Sequence, residues 1–329
     1  MELEKLAQKI VASPRGILAA DWSVGTATKK FAKFGINSTE ESRREYRQML
    51  FETEGLEKYI SAVILHEETI RQKTKEGRPL IEIIKNKGIE VGIRLDIGQE
   101  EIPGFGGEQM TFGLDRIRER LSEFKSLGAS FAKWRAVFII GRGKPTRQAI
   151  EANSILLSLY ALFCIEAEIL PIVEPDVVMD GNHSLSDCQK ATEEVLKTLF
   201  FKLLDYGVDR KKIILKPNMI LPGIESEKAL PNEVALATLS VFKKTVPVDV
   251  PGIAFLSGGQ SLDEASENLN EIEKRAFDVP WQITFSFARA LQEPVLEIWQ
   301  GREENKKKAQ EKLIESAKIA SLARQGKLE

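Results

Sequence analysis

Eight short apolar runs, separated by helix-like segments, constrain the fold of this chain more than any other feature of its sequence. The runs are Gly16–Asp21, Ile60–Leu65, Val91–Asp96, Phe131–Phe138, Leu170–Asp176, Ile213–Met219, Gly252–Gly259 and Trp281–Ala288. They recur at intervals of roughly 30–45 residues, which is the size of a strand, a helix and their connections. Alternating strands and helices favour a parallel sheet, and eight such units favour a closed (β/α)8 TIM barrel of the α/β class.

The chain has 329 residues, whereas a usual barrel has about 250, so the additional residues must form segments outside the eight strand–helix units. We expect a single barrel domain over residues 1–329, with a leading helix in 1–15 and a terminal helix in 302–329. A long loop over Gly98–Thr111 takes up further residues, and we expect no long C-terminal tail. An open, doubly wound sheet is the alternative, but no apolar run is followed by a glycine-rich dinucleotide fingerprint.

Capping boxes mark the starts of several of the intervening helices. Ser38–Glu41, Ser184–Asp187 and Ser261–Glu264 each place an acidic residue three positions after a serine. The leading helix is amphipathic, because Leu3, Leu6, Ile10 and Val11 fall on one helical face.

Composition and charge exclude several classes of function. The net charge is −2, so no attraction to nucleic acid or to a membrane surface is expected. No apolar run approaches the roughly twenty residues of a membrane span, and the N-terminus has no signal-peptide pattern. Cys164 and Cys188 indicate a reducing cytoplasm, and together with His66 and His183 they form no metal-ligand spacing. We therefore expect a cytoplasmic protein without a bound metal.

Nearly every predicted strand carries a polar group at its C-terminal end, where the active sites of barrels are found. These groups are Asp21, Arg94 with Asp96, Lys133 with Arg135, Glu174 with Asp176, Lys216, Ser257-Gly258-Gly259, and Ser286 ahead of Arg289. Side chains two residues apart on a strand share a face, so these charges converge. A neutral ion-pair network without a function is the alternative. Polar groups at the C-terminal ends of six strands favour a catalytic site instead.

Lys216 lies in Lys212–Met219, inside a run of aliphatic residues that ends at Pro217. Burial disfavours the charged form of a lysine, and a neutral amine is what a Schiff-base catalyst requires. The alternative is a lysine whose stem packs while its head reaches water. A second amine, Lys133, would favour the neutral form of Lys216 by like-charge repulsion, and Glu174 beside both would relay protons. A simple ion pair between Lys133 and Glu174 is compatible with that role.

Two cationic groups predict a substrate with two phosphates. The glycines after Ser257 permit close backbone approach and free N–H groups for an anion, and Arg289 adds a forked cation. A tight turn into the capping box at Ser261 is the alternative interpretation of the same glycines, and it is compatible with an anion site. The second group comprises Arg94 and Arg135, with Lys29 and Lys30 after the first strand, although a solvated helix face also accounts for those two lysines.

Six segments together resemble the class I fructose-1,6-bisphosphate aldolases. They are Gly16–Asp21, Phe131–Arg135, Pro171–Pro175, Leu215–Met219, Phe255–Gln260 and Thr284–Ser286, in family order within a likeness from about Gly16 to Lys327. The resemblance implies a (β/α)8 barrel, usually a homotetramer, that works without metal or other cofactor. It also implies a sugar bisphosphate substrate, cleaved to dihydroxyacetone phosphate and glyceraldehyde 3-phosphate in glycolysis and formed again in gluconeogenesis.

The resemblance also implies roles for individual residues. Lys216 becomes the Schiff-base lysine, Glu174 the acid and base of imine formation with Lys133 assisting, and Asp21 the group that exchanges the proton of the C4 hydroxyl. The phosphate of the dihydroxyacetone half is held by Ser257, Gly258 and Arg289, with Gly259 and Ser286 alongside. The other phosphate faces Arg135, with Arg94, Lys29 and Thr26, and Asp176 supports the catalytic acid.

Several positions depart from the family pattern. Arg94 stands in place of a lysine, Asp176 in place of a glutamate, Ala288 in place of a glycine and Trp22 in place of a glutamate. The terminal tyrosine of better-known members is absent, so we expect fixed groups of the barrel to carry the enamine proton. An aldolase for another ketose phosphate, such as sedoheptulose 1,7-bisphosphate, and a catalytically silent scaffold remain the alternatives.

Overall fold

The eight apolar runs form the eight strands of a closed parallel barrel in the computed structural model of the protein, which describes residues 2–329. The barrel strands are β1 (Gly16–Ala20), β2 (Ile60–Leu65), β3 (Glu90–Arg94), β6 (Phe131–Phe138), β7 (Leu170–Val177), β8 (Ile214–Leu215), β9 (Gly252–Leu256) and β10 (Gln282–Phe287). They follow one another around the barrel in chain order, and β10 pairs in parallel with β1 to close it. The predicted (β/α)8 architecture is thereby confirmed.

Twelve helices accompany the strands in the described residues. They are α1 (Glu2–Val11), α2 (Val24–Ala32), α3 (Glu40–Glu52), α4 (Glu67–Arg71), α5 (Leu80–Asn86), α6 (Ile117–Leu127), α7 (Arg147–Glu166), α8 (Leu185–Asp205), α9 (Pro231–Thr245), α10 (Leu262–Arg275), α11 (Arg289–Trp299) and α12 (Lys306–Ala323). A single 3-10 turn, Glu303–Asn305, precedes α12, so the terminal helix begins later than Arg302.

Two of the three predicted capping boxes are confirmed, at the starts of α8 and α10. The third is displaced by one residue. The Thr39 hydroxyl accepts from the Ser42 N–H, and the Ser42 hydroxyl accepts from the Thr39 N–H. The Ser38 hydroxyl is not available for capping, because it accepts hydrogen bonds from Thr28 and Arg43.

The segment Gly98–Thr111, expected to be a loop, is mostly a hairpin. Its strands β4 (Gly98–Glu101) and β5 (Gln109–Phe112) pair antiparallel outside the barrel. Gly104, Gly106 and Gly107 have positive φ in the connection, a conformation that lets the chain reverse between the two strands.

Helix α7 corrects a second expectation. By length and composition alone it is apolar enough to cross a membrane, although no run of that size was expected. In the fold it packs on β6, β7 and α8, and half of its apolar stretch is buried within the protein. Its composition therefore fits a helix that covers barrel strands.

The barrel interior is apolar at the N-terminal ends of the strands. Helix α1 lies across that end, where Ile10 and Val11 pack with Ile17, Phe131 and Ile172 in one buried cluster. The chain's last helix is tied to the same end, because the Arg324 guanidinium donates to the carbonyls of residues 11 and 12. The N-terminal end is therefore sealed, and a ligand has to enter from the other end.

Candidate active site

Strand alternation carries the charged side chains into the barrel one layer above the apolar cluster. On β6, Lys133 shares a face with Phe131, and on β7, Glu174 shares a face with Ile172. The register of the parallel sheet sets Arg94 beside Lys133 and Arg135 beside Glu174. The predicted strand-end groups therefore meet at one level, inside the C-terminal mouth of the barrel.

Lys216 follows β8 directly. That strand is shorter than the predicted run Ile213–Met219, because Pro217 has no N–H to extend the ladder. The Lys216 N–H still donates to the Val173 carbonyl at 2.8 Å, which holds the backbone in strand register. Only 3% of Lys216 is exposed, so its amine does not simply reach out to water.

Lys216 and three other buried side chains form a continuous network. Lys216 Nζ lies 3.0 Å from Glu174 Oε1, and Lys133 Nζ lies 3.2 Å from Glu174 Oε2. Lys133 Nζ also lies 2.7 Å from Asp21 Oδ2. Lys133 therefore links the two carboxylates, so the predicted pair with Glu174 is present but is one of several contacts.

The network keeps both carboxylates ionised. Burial by itself would raise the pKa of the Asp21 carboxyl, but the nearby Lys133 and Lys216 outweigh burial and hold that pKa well below its usual range. Burial likewise opposes ionisation of Glu174, and the same two lysines lower its pKa. Burial disfavours charged Lys133, yet Asp21 and Glu174 raise its pKa, so Lys133 is a protonated bridge.

Arg94 and Arg135 line the side of the mouth near β3 and β6, and each is paired with a carboxylate. Arg94 Nη2 lies 2.6 Å from Asp96 Oδ1, and Arg135 Nη2 lies 2.6 Å from Asp176 Oδ2. Asp96 was predicted among the strand-end groups but was given no role; it lies 3.9 Å from Lys133 Nζ and also accepts from the Arg135 N–H. Burial raises the pKa of Asp176 even though Arg135 opposes this shift.

Ser257, Gly258 and Arg289 line the opposite side of the mouth. Gly258 has a φ of +54°, in the left-handed region that favours glycine. Arg289 Nη1 donates to the Gly259 carbonyl at 3.0 Å, which fixes the arginine beside the loop. Gly259 lines a neighbouring cavity and not this one. Its link to the active site is the hydrogen bond from Arg289, which does line the active-site cavity. The tight turn and the proposed anion site are therefore compatible.

The Ser286 hydroxyl lines the cavity and has no hydrogen-bond partner within residues 2–329. A buried hydroxyl without a partner costs free energy unless a ligand or water satisfies it. Ser286 is thus placed to bind a ligand at the side of Arg289.

The α2 residues correct one sequence assignment. Thr26 and Lys30 line the cavity, whereas Lys29 is exposed and does not. Residues four apart share a helix face, but Lys29 is turned about 100° from Lys30. This periodicity was the signal that would have selected Lys30 instead of Lys29.

Trp22 also lines the cavity, at the position where the family pattern has glutamate. Its indole ring stacks on Tyr46 with the ring centres 6.1 Å apart, and its carbonyl accepts from Arg47 at 3.0 Å. At this point the rim of the cavity is therefore an aromatic ring whose position is fixed by packing on Tyr46. A lone tryptophan after the first strand gave no sequence signal for that contact.

The cavity has a volume of about 240 Å³, just below the usual range of drug-sized ligand pockets, so it is sized for a small molecule. Six cationic side chains line it against the three carboxylates of Asp21, Glu174 and Asp176. An anionic small molecule is the ligand that this balance favours. Within the described residues, no cluster of three histidine, cysteine or acidic side chains is suited to hold a metal ion.

The fold and the site together define a (β/α)8-barrel enzyme with a buried lysine–carboxylate network at the C-terminal mouth. The model of one family, described as fructose-bisphosphate aldolase class-I, matches residues 2–329. The chain belongs to this family, whose members are metal-independent lyases, and it is a class I fructose-bisphosphate aldolase. The resemblance noted in the sequence is confirmed. Neither the seven-carbon ketose bisphosphate nor the silent scaffold is favoured.

Individual relatives agree with the family assignment over almost the whole chain. The muscle-type fructose-bisphosphate aldolase of Lethenteron camtschaticum is 45% identical over 327 residues, covering 99% of this chain and 90% of the relative. Fructose-bisphosphate aldolase B of Gallus gallus is 46% identical, covering 98% and 90% respectively. A fructose-bisphosphate aldolase from Plasmodium falciparum, solved with TRAP and a small-molecule inhibitor, superposes with a TM-score of 0.98. That structure is 44% identical and covers all of this chain and 95% of its own.

Proposed function

We propose that Lys216 is the residue that attacks the ketone carbon of fructose 1,6-bisphosphate and forms an imine with it. The observation that carries this proposal is the Lys216 amine, buried at the mouth of the barrel and 3.0 Å from Glu174. Glu174 takes the amine proton and later donates a proton to the departing hydroxyl, which leaves as water. The resulting iminium accepts the electron pair when the C3–C4 bond breaks.

Asp21 accepts the proton of the C4 hydroxyl as glyceraldehyde 3-phosphate departs. Its lowered pKa keeps the carboxylate ionised, which is the state that accepts a proton, although the same shift makes it a weak base. Lys133, within 3.2 Å of both carboxylates, stabilises their charge and connects them for proton transfer. Protonation of the enamine and hydrolysis of the imine then release dihydroxyacetone phosphate. Glu174, 3.0 Å from the Lys216 amine, and Lys133, 3.2 Å from Glu174, are the fixed groups that carry the proton in that step.

The two phosphates bind at opposite sides of the mouth. Arg289, Ser257, Gly258 and the unpartnered Ser286 hydroxyl receive the phosphate next to the imine carbon. Arg94 and Arg135 receive the remote phosphate on the other side. Asp96 and Asp176 orient these two arginines and neutralise them until the second phosphate binds.

Borohydride reduction tests the covalent step directly. Enzyme treated with dihydroxyacetone phosphate and borohydride should carry a reduced adduct, and peptide mass analysis should locate it on Lys216 alone. Arg135→Ala serves as the control and should still form the adduct, because dihydroxyacetone phosphate lacks the remote phosphate that Arg135 binds. An adduct that forms normally in Lys216→Ala would overturn the assignment.

We further propose that the enzyme is a cytoplasmic homotetramer, as the resemblance implies. Phe201 and Leu204, three residues apart on α8, are 61% and 63% exposed, and such apolar side chains favour burial between subunits. Cys164 and Cys188 are both free and buried, as is usual for proteins of a reducing compartment. Sedimentation of wild type and of Phe201→Glu with Leu204→Glu tests the assembly, and cell fractionation tests the location.

A further inference from the structure

One carboxylate connects two of the cations at the near-phosphate side of the cavity. Glu293 Oε1 is ion-paired with Lys30 Nζ, and the same oxygen lies 3.7 Å from Arg289 Nε. Lys30 therefore lies on the Arg289 side of the mouth, whereas the sequence grouped it with Arg94 and Arg135. Lys30 and Arg289 both line the cavity, whereas Glu293 lies behind them on α11, one turn after Arg289. The active-site roles described above do not use this carboxylate.

The Glu293 carboxylate has the same charge sign as the phosphate that the two cations would bind. The Lys30 side chain is 13% exposed and that of Glu293 is 32% exposed, so water screens this pair less than it screens a pair on the open surface. A fixed negative charge next to two phosphate-binding cations lowers the positive potential that a phosphate meets. The Glu293 carboxylate also accepts from an N–H of Lys30 that would otherwise donate to the phosphate.

We propose that Glu293 is a positioning residue that competes with the substrate phosphate for Lys30 and Arg289, and so sets the affinity of the near-phosphate site. The carboxylate holds the two cations side by side while the site is empty. When phosphate binds, Lys30 exchanges its ion pair with Glu293 for one with the phosphate. The free energy of phosphate binding is therefore less favourable than it would be if Lys30 and Arg289 had no carboxylate partner. This inference rests on the proposed assignment of Arg289 to the near phosphate.

Glu293→Gln tests the inference because glutamine keeps the shape of the side chain and removes its charge. We expect the KM for fructose 1,6-bisphosphate and the Ki for inorganic phosphate both to fall by about two- to fivefold, the range for a partly exposed ion pair. The fold change in KM should exceed that in kcat, and it should shrink as salt is added. Glu293→Asp should restore values close to wild type.

Glu297→Gln is the matched control. Glu297 lies one turn further along α11, is exposed, and has no ion pair within residues 2–329. The same loss of one negative charge there should leave both constants unchanged. In a Lys30→Met background the effect of Glu293→Gln should shrink, because a coupled pair gives a non-additive double-mutant cycle.

Two outcomes overturn the inference. An unchanged or higher Ki for phosphate in Glu293→Gln would mean that the carboxylate only tethers Lys30, and equal effects of Glu293→Gln and Glu297→Gln would mean a non-specific charge effect. Arg289→Ala separates this failure from that of the proposed function. If Arg289→Ala does not weaken phosphate inhibition, the near-phosphate assignment itself is wrong.

Discussion

The two ends of the barrel interior are built from the same strands and are buried to nearly the same degree, yet they differ in chemistry. On β6, Phe131 at the closed end is 0% exposed and Lys133 at the open end is 3% exposed. On β7, Ile172 and Glu174 show the same succession. At the closed end, removing apolar surface from water stabilises the fold without regard to direction. At the open end each buried charge requires a particular partner, so the contacts there are specific and contribute little net stability.

The comparison teaches that this barrel separates stability from catalysis along the strand direction. Substitutions in the closed end should change the free energy of unfolding and leave the chemistry of folded molecules intact. Substitutions in the open end should act first on turnover, and they should change stability only where they leave a buried charge without its partner or remove a charge that the network keeps ionised. Five experiments test this separation, in decreasing order of expected effect.

Lys216→Ala should have the largest effect and should act on turnover. Removing the nucleophile of a covalent mechanism should lower kcat by about 10⁴-fold or more, the scale seen when a catalytic group is deleted. Steady-state kinetics measure the loss, and circular dichroism confirms that the variant folds. Turnover within tenfold of wild type would contradict the role of Lys216.

Ile172→Ala should lower stability by about 2–5 kcal/mol, because it leaves a cavity in the cluster that α1 covers. Denaturant unfolding measures the change, and kcat per folded molecule should stay near wild type. Phe277→Ala is the control, since Phe277 is 90% exposed and should change stability by no more than about 0.5 kcal/mol. A large fall in kcat for Ile172→Ala without loss of stability would contradict the proposed separation of stability from catalysis.

Arg135→Ala should cost about 1.5–3 kcal/mol in kcat/KM for fructose 1,6-bisphosphate, the value of a charge-assisted hydrogen bond. The loss should be much smaller for fructose 1-phosphate, which lacks the remote phosphate. Arg289→Ala should impair both substrates. Comparable losses of Arg135→Ala on the two substrates would contradict the two-sided arrangement of phosphates.

The pH dependence of the unfolding free energy should report the ionisation of the buried carboxylates at the open end. The pKa of Asp21 is lowered in the folded protein, so its ionisation contributes stability above the ordinary carboxyl pKa of about 3.9. That contribution is lost as pH falls from there through the lower folded value. Asp21→Asn should therefore flatten the fall of unfolding free energy below about pH 4. An unchanged slope in acid denaturation would mean that Asp21 is not held ionised by Lys133.

Removal of divalent metal should have the smallest effect of all. Dialysis against a strong chelator should leave kcat and KM unchanged, because a protonated imine takes the place of a metal as electron sink. Activity that falls on dialysis and returns with zinc would show that the open end holds a metal after all.

Much of the fold followed from local patterns in the sequence. Apolar runs of strand length, spaced by helix-like segments, predicted all eight barrel strands, and serines followed by acidic residues predicted the starts of α8 and α10. Alternation placed Lys133 with Arg135, and Glu174 with Asp176, on shared faces. These predictions succeeded because strand and helix periodicity is a property of neighbouring residues.

Only the tertiary structure decided which of these groups contact one another. Lys133 bridges Asp21 and Glu174 because barrel closure brings β1 opposite β6 and β7, a distance along the chain that no local pattern encodes. The pairing of Lys30 with Glu293 depended on how α2 and α11 lie around the mouth, because the two residues are far apart in the chain. The sequence by itself determined the eight barrel strands and the residue types at their ends, since these follow from local periodicity. The partners of each charge required closure of the barrel, because electrostatic contacts depend on distances through space.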